Sequence, residues 1–569
     1  MEIKANGARI SSIERWYIIS SNGETRMWLS GFNPQAIQDL EGARRAILEL
    51  MNLVESMKQE NQTLRDEVQR LRDELNRLKG EQGKPDVKAN KRKSREDANH
   101  SSEEERHVSK AWHKRAKRAK IVIDREEKLS VDKSSLPADA QFKGYEKTVV
   151  QDIRLTTDNV CFLKEKYYSP SQERNYLAPM PGGYEGEFGP GVRALVLTLY
   201  HASGMTEPKI QEFLEYVGTS ISSGQISNLL IKDKEEWHEE KKAIYQAGLV
   251  SSEWQHIDDT STRVDGHNQH CHVVCNPLYS AYFTRPKKDR LTVIQLLQGG
   301  PQLDFLLNER TPALLDLFNT PRWARQHTTT WPQNQVLTRP QMEEWLQRDV
   351  ASLNDQQRAR ILEAAALTAY NTQTTVPIVT TLLSDDAPQF QFVTLYQMLC
   401  WVHEGRHYTK LIPYVDYHRQ QLADFKKQFW QFYRQLLLYK TAPSAPEADR
   451  LRAEFDTLFG QKTGYDDLDR RIAKTLAKKE RLLTVLDFPH LPLHNNPAEL
   501  AARQRVRKRD ISFGPRTPDG VEAWDTFNTL TETAKKLGVN FYAYIHDRVS
   551  QARRMASLAD LIRQASLPT

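Results

Sequence analysis

The sequence predicts an α/β core carrying large helical insertions, preceded by a helical region and by an N-terminal parallel coiled coil. Three observations lead there. Apolar residues recur at an unbroken 3-4 spacing over 47–78, the mark of a helix with one apolar seam. Two stretches, 252–258 and 376–383, read as strands, the second a buried Val/Ile/Thr/Leu run, and each delivers a pair of aspartates. Long tracts at helical spacing, such as 312–370 and 416–440, lie between and after them.

Residues 1–36 form a small segment. Trp16-Tyr17-Ile18-Ile19 and Met27-Trp28-Leu29 flank Ser21-Asn22-Gly23-Glu24, the pattern of a hairpin around an Asn-Gly turn. Over 37–80 the seam places Ile47, Val54, Asn61, Val68 and Leu75 at heptad position a, with Leu50, Met57, Leu64, Leu71 and Leu78 at d. β-Branched residues at a with Leu at d favour two parallel strands, and a single Asn at a fixes their register. Glu60, Glu67 and Glu74 at g would meet Arg65, Arg72 and Lys79 at e of a partner helix, so all these pairings attract. A parallel homodimer is expected.

Residues 81–137 read as a basic flexible linker and 138–185 as a small β-containing domain, with a few strands around 142–162. The segment 186–248 is a helical region. There Thr206 precedes a helix ending at Gly218, and Ser222 or Ser223 caps another through Leu230, a helix-turn-helix candidate. The α/β core spans 249–547, with helical insertions near 300–372 and 412–490, and 548–569 is a C-terminal helix.

Composition narrows the function classes. Apolar residues make up 39% and charged residues 27%, which suits a soluble chain rich in exposed helix. No apolar run approaches the ~20 residues of a membrane span, and the polar start has no signal segment. A cytoplasmic, nucleoid-associated protein without a membrane partner is expected. Cys161, Cys271, Cys275 and Cys400 are too scattered for a disulfide framework. The net charge of +6 is uneven: 84–120 holds 13 Lys/Arg against 6 Asp/Glu, and 500–516 holds 6 against 1. Two such concentrations point to a polyanion. The candidate contacts are Lys114, Arg115, Lys117 and Arg118 in the first, and Arg503, Arg505, Arg507, Lys508 and Arg509 in the second. A solvated linker and a solvated face are the alternatives.

The chemistry rests on carboxylates. Asp258-Asp259 and Asp385-Asp386 end strands, and Glu499 sits in the first turn of a helix opened by Asn495-Asn496-Pro497. Two strand-borne aspartates and a helix-borne glutamate are what two-metal phosphoryl transfer needs, because carboxylate oxygens hold paired Mg²⁺ ions and strands keep them rigid. The competing reading is turn chemistry for the aspartates and a capping box for Asn496 and Glu499. His270, Cys271, His272 and Cys275 invite a metal reading too. On a strand, however, Cys271 and Cys275 would stand ~13 Å apart, so a structural strand is favoured.

Sequence context raises the metal-site reading. His256-Ile257-Asp258-Asp259-Thr260 resembles the first catalytic-aspartate motif of insertion sequence 66 family transposases. Leu383-Ser384-Asp385-Asp386 resembles the second, followed by Cys400-Trp401-Val402-His403-Glu404-Gly405-Arg406. Asn495-Asn496-Pro497-Ala498-Glu499 is then followed by Arg503, Arg509 and Phe513. The run Thr531-Glu532-Thr533-Ala534-Lys535-Lys536-Leu537-Gly538-Val539-Asn540 follows, ending near Tyr544. The resemblance covers roughly 186–547, and an N-terminal coiled coil is typical of the family.

The resemblance implies an RNase H-like core of the DDE type that cuts and joins DNA at transposon ends. Asp258, Asp385 and Glu499 would be its catalytic, metal-binding carboxylates, with two Mg²⁺ ions (or Mn²⁺) per site. Double-stranded DNA, both transposon end and target, would be the partner, and accessory proteins a further one. Arg503 and Arg509 would contact phosphate or orient the carboxylate. Strand register favours Asp258 over Asp259, and the motif favours Asp385 over Asp386.

Several features depart from the family pattern. Many relatives carry an N-terminal zinc-binding cysteine cluster where this chain has only Cys161, so no zinc is expected. Leu500 stands where relatives usually have Arg. The aspartates are 127 residues apart, and 114 more separate Asp385 from Glu499, room for helical blocks that a minimal core does not need. Two other functions fit the same residues: a DNA-binding protein descended from a transposase, and a nuclease that cuts without joining.

Overall fold

A computed structural model describes residues 18–19, 25–26, 37, 39–78 and 122–567, apart from 133, 135, 138, 154, 185, 300, 301 and 375. Lys114, Arg115, Lys117 and Arg118, the Asn-Gly turn and Lys79 lie outside the described residues. The chain divides into two compact units, one of 1–100 with 398–494 and one of 101–397 with 495–569.

The second unit is built on a mixed sheet. Strands β5 (Trp254–Val264), β6 (His267–Cys275) and β7 (Ser280–Arg285) form an antiparallel meander. Its first turn is Asp265-Gly266, both at positive φ, the geometry that matches hairpin twist. Strand β8 (Thr381–Ser384) returns to pair with β5 in parallel, with Trp254 opposite Thr381 and His256 opposite Leu383. With β9 (Tyr396–Leu399), the order is β7-β6-β5-β8-β9. The parallel return needs a crossover, and here it is helical: α6 (Arg290–Gln298), α7 (Thr311–Leu317), α8 (Arg322–Thr328), α9 (Arg339–Asp349) and α10 (Asp355–Thr372).

Each face of the sheet has its own cover. On one, Ile257, Val274 and Ala281 join the main core with Ile244 of α5 (Glu235–Val250), Ile294 of α6 and Leu367 of α10. On the other, Cys271, Val273, Cys275 and Tyr282 pack under Ala498, Ala501 and Ala502 of a later helix. Three alanines let that helix lie close to the strands. Cys271 and Cys275 are therefore packing residues, and His272 points to the opposite face, its Nε2 3.1 Å from the Lys287 carbonyl.

Before the sheet, α2 (Pro190–His201), α3 (Glu207–Tyr216) and α4 (Ser223–Ile231) surround a small core of Leu197, Ile210 and Ile226. Thr206 is the N-cap of α3, and Ser222 makes a capping box with Gln225 at α4. The strands expected around 142–162 are absent among the described residues there. That stretch has no regular structure, and Phe142, Val150 and Ile153 are exposed. Its β-branched residues are interspersed with charges, so no apolar face forms to be covered. Pairing occurs just beyond, between β3 (Lys166–Ser169) and β4 (Arg174–Leu177).

The first unit holds the short antiparallel pair β1 (Ile18–Ile19) and β2 (Thr25–Arg26). It also contains one long helix, α1 (Leu40–Leu78). The helices α11 (Trp401–Thr409), α12 (Asp416–Thr441), α13 (Ala445–Gly460), α14 (Asp466–Leu476), α15 (Lys479–Leu482) and α16 (Thr484–Asp487) complete it. Their core is aromatic: Trp401 lies among Phe429, Phe432, Phe455 and Phe459. A Cβ at Gly405 would stand 2.6 Å from the Trp430 ring, which explains a glycine inside α11. Helix α1 docks on this block through Asn52, Glu55 and Gln59. Its a and d residues stay outward, from Ile47, 52% exposed, to Leu75, 50% exposed.

Candidate active site

Strand pairing brings the two sequence-predicted aspartates level. His256 and Leu383 are opposite one another in the parallel β5–β8 pair, and Asp258 and Asp385 each lie two residues further on. Side chains two apart share a face, and parallel neighbours lie about 4.8 Å apart. The side chains of Asp258 and Asp385 therefore emerge side by side where β8 ends.

The third carboxylate arrives on α17 (Asn496–Ser512), with Glu499 in its first turn. Asn495 is the N-cap, yet its side chain does not cap the helix. It crosses to β5 instead: its amide donates to the Ile257 carbonyl at 2.7 Å, and its oxygen lies 2.9 Å from Nδ1 of His256. This displaces the capping-box reading, because the helix starts one residue earlier and its asparagine is spent on the strand that carries Asp258.

Burial first, then the charges of Asp385 and Glu499, push the Asp258 carboxyl up to about 8. The neighbours Asp259 and Asp386 are engaged elsewhere. Asp259 accepts from Gln389 at 2.7 Å and lies 3.7 Å from the Lys288 amine. Asp386 lies 3.3 Å from the Gln391 amide, while Asp385 accepts from the Ala387 N–H. Strand alternation turns Asp259 to the face opposite Asp258. Among the described residues, no group of His, Cys, Asp and Glu forms a ready-made metal cluster. The donor set nevertheless suits a hard divalent cation, since it is all carboxylate oxygen and its charges repel.

The basic run on α17 divides by helix face. Arg503 and Arg507 are exposed and Arg509 half-buried. Arg505 and Lys508 do not reach solvent, contrary to the expectation that they contact DNA. Arg505, 1% exposed, pairs with Asp525 of α18 (Pro518–Lys536) at 3.2 Å and donates to Thr284. Lys508 lies over the Tyr200 ring at 3.6 Å and donates to the Tyr200 carbonyl. Residues 505 and 508 share a face, and the helix buries that face. Charge counting along the sequence could not separate them from Arg503 and Arg507. The signal was their spacing with Ala498, Ala501 and Ala502.

The sequence pattern of the transposase IS66 family matches residues 185–305 and 375–523. The chain belongs to that family. The match takes in all three carboxylates and leaves out 306–374, which holds α7 to α10. The helical block of 412–490 lies inside it, and so is part of the family's own pattern. An uncharacterized protein, y4jO, from Sinorhizobium fredii is 32% identical over 317 residues, 56% of this chain and 98% of that one. Among the described residues, no helix is long and apolar enough to cross a membrane.

Proposed function

We propose that the protein is a DNA transposase that cuts DNA at transposon ends and joins it to a target, with Asp258, Asp385 and Glu499 as the catalytic carboxylates on an RNase H-like core. The observation that carries this reading is the crowding at Asp258. A buried carboxyl raised to about 8 by burial and by two acidic neighbours is costly unless cations sit among the three.

Asp258, Asp385 and Glu499 would hold two Mg²⁺ ions, with Mn²⁺ as a substitute. When bound, the ions supply a nucleophilic water or 3′-hydroxyl and neutralise charge on the leaving oxygen. The chain's own contribution is placement. Strands β5 and β8 hold two ligands level, and Asn495 fastens the first turn of α17 to β5 so that Glu499 faces them. Arg503, Arg507 and Arg509 would hold the DNA backbone, together with the basic run of 114–118. The exposed seam of α1, with its attractive g and e charges, would join two copies in parallel and so keep two DNA ends together.

The test is Mg²⁺-dependent cleavage and joining of labelled transposon-end DNA by the wild type beside Asp258→Ala, Asp385→Ala and Glu499→Ala. All three variants should bind DNA and neither cut nor join it. Cutting without joined products by the wild type would make it a nuclease. Loss of activity at Asp259→Ala with Asp258→Ala intact would overturn the assignment.

A further inference from the structure

Helix α17 closes on a left-handed residue whose N–H bonds back to the Arg509 carbonyl, a usual way to end a helix, but the residue in that place is a phenylalanine rather than a glycine. Phe513, its C-cap, sits at φ 60, the left-handed region where a glycine costs nothing and a side chain is strained. Gly514 follows at φ 84. The Phe513 side chain is 86% exposed, and among the described residues its ring has no aromatic neighbour. The chain offers its own comparison. Phe392 also has a positive φ, 62, but it packs against Phe318 at 6.1 Å and is 48% exposed. Its strain is repaid by a contact, whereas that of Phe513 is not. Among the described residues, the other non-glycine residues at positive φ are Glu173, Asp233, Asp265, Asn319, Asn334, Gln551 and Arg553, all polar. A strained, solvent-facing aromatic is better explained by a partner than by the fold.

The surroundings identify that partner's chemistry. Arg507 and Arg516 are exposed on either side in sequence, and Arg509 is half-buried. Asp510 is the single acid between 500 and 516, and it lies 3.3 Å from Arg509. An exposed ring among arginines fits a nucleobase with its phosphates.

Two rulers place this ring relative to the carboxylates. Phe513 is fourteen residues from Glu499 along α17, about 21 Å at ~1.5 Å per residue. A Cβ on Gly514 would meet the Arg263 carbonyl at 3.3 Å, and Arg263 is five residues along β5 from Asp258, about 17 Å. Both distances amount to roughly five or six base-pair steps of ~3.4 Å.

We propose that Phe513 stacks on a nucleobase made accessible at an unpaired or distorted step of DNA, roughly five to six base pairs from the reacting phosphate, with Arg507 and Arg516 on the flanking phosphates. This rests on the transposase reading above and adds a contact to it.

The experiment uses the full-length protein with two probes: a blunt duplex, and the same duplex with a short single-stranded tail and 2-aminopurine next to the junction. The variants are Phe513→Gly, Phe513→Trp and, as a control at an exposed position of α12, Leu438→Ala. Phe513→Gly should raise the melting temperature by about 1–3 °C as the left-handed strain is relieved. It should also bind the tailed probe on the order of tenfold more weakly and lose the 2-aminopurine signal. Phe513→Trp should retain both the affinity and the signal. Leu438→Ala should bind both probes as the wild type does.

If Phe513→Gly binds the tailed probe with wild-type affinity and signal, the stacking contact is wrong while the transposase reading stands. A changed oligomeric state with DNA binding intact would assign the ring to a protein contact and overturn the proposal. If the wild type binds neither probe, the transposase reading fails and takes this contact with it.

Discussion

His256 and Asn495 meet in the interior, Nδ1 to Oδ1 at 2.9 Å, while the Asn495 amide donates to the Ile257 carbonyl at 2.7 Å. Both residues are buried. They tie the helix that carries Glu499 to the strand that carries Asp258, from residues 239 apart in sequence. Because the amide is already donating to Ile257, the Asn495 oxygen accepts from His256.

Removing that tie should loosen the carboxylate set without removing a carboxylate. Asn495→Leu should stay folded by circular dichroism but bind Mn²⁺ about ten- to a hundredfold more weakly, the usual cost of losing a group that orients a metal ligand. His256→Asn, whose amide stands where Nδ1 does, should retain most of the affinity, and His256→Leu should not. Equal Mn²⁺ affinity in Asn495→Leu and wild type, measured by electron paramagnetic resonance, would rule out the positioning role.

Lys508 predicts an unusual dependence of stability on pH. Burial above all, then the Arg505 charge, lowers its amine from 10.5 to about 7. Between about 7 and 10.5 the folded protein therefore binds fewer protons than the unfolded chain, so stability rises with pH across that window. Below about 7 the amine is charged in both states and the burial cost is fully present. Lys508→Met should stabilise the protein at about pH 6–7 by on the order of 2 kcal/mol, seen as a higher melting temperature, and the gain should shrink toward about pH 10. A gain that is constant or grows with pH would contradict this.

The face division of α17 makes a separate prediction about DNA. Arg507→Ala should reduce the slope of log affinity against log salt by about one phosphate contact. Arg505→Lys should leave the slope alone but lower the melting temperature, since a lysine cannot reproduce the hydrogen bonds to Thr284 and Asp525. A lower slope in Arg505→Lys would return that residue to the DNA surface.

The α/β class, a strand carrying Asp258, a strand delivering Asp385 and the opening of a helix before Glu499 were legible because each has a local signal: alternation, a β-branched run, a proline after asparagine. The strand ends were not: β5 does not stop at Asp258 but runs on to Val264, because its pairing with β6 continues to the Asp265-Gly266 turn, and β8 covers only Thr381–Ser384, at the end of the 376–383 run. The direction of individual basic side chains was not, since Arg505 and Arg507 are alike until a packed face distinguishes them. The strands expected near 142–162 failed because β propensity describes fit to a covered surface, and that stretch has none. On α1 the apolar seam was plain, but the docking face was polar: Asn52, Glu55 and Gln59 gave no periodic signal. The role of Asn495 was hidden because the capping-box pattern pointed to Asn496, and only its bonds to His256 and Ile257 show what Asn495 does.

That polar face and the apolar seam should separate by mutation. Asn52, Glu55 and Gln59 occupy heptad positions f, b and f, away from the a and d residues. Glu55, 2% exposed, accepts from the N–H groups of Tyr414 and Val415 at 2.7 and 2.9 Å, with His418 Nδ1 at 3.2 Å. It therefore fixes the backbone that leads into α12 from another helix, and a carboxylate there also meets the positive end of the helix dipole. Glu55→Ala should cost about 2 kcal/mol and speed hydrogen exchange at the start of α12, yet leave a dimer intact. Leu64→Asp with Leu71→Asp should do the reverse, giving a monomer by sedimentation while exchange at Tyr414 and Val415 stays slow. A dimer that survives both seam charges would rule out pairing through a and d. Dissociation in Glu55→Ala would mean that the docked and exposed faces of α1 act as one interface.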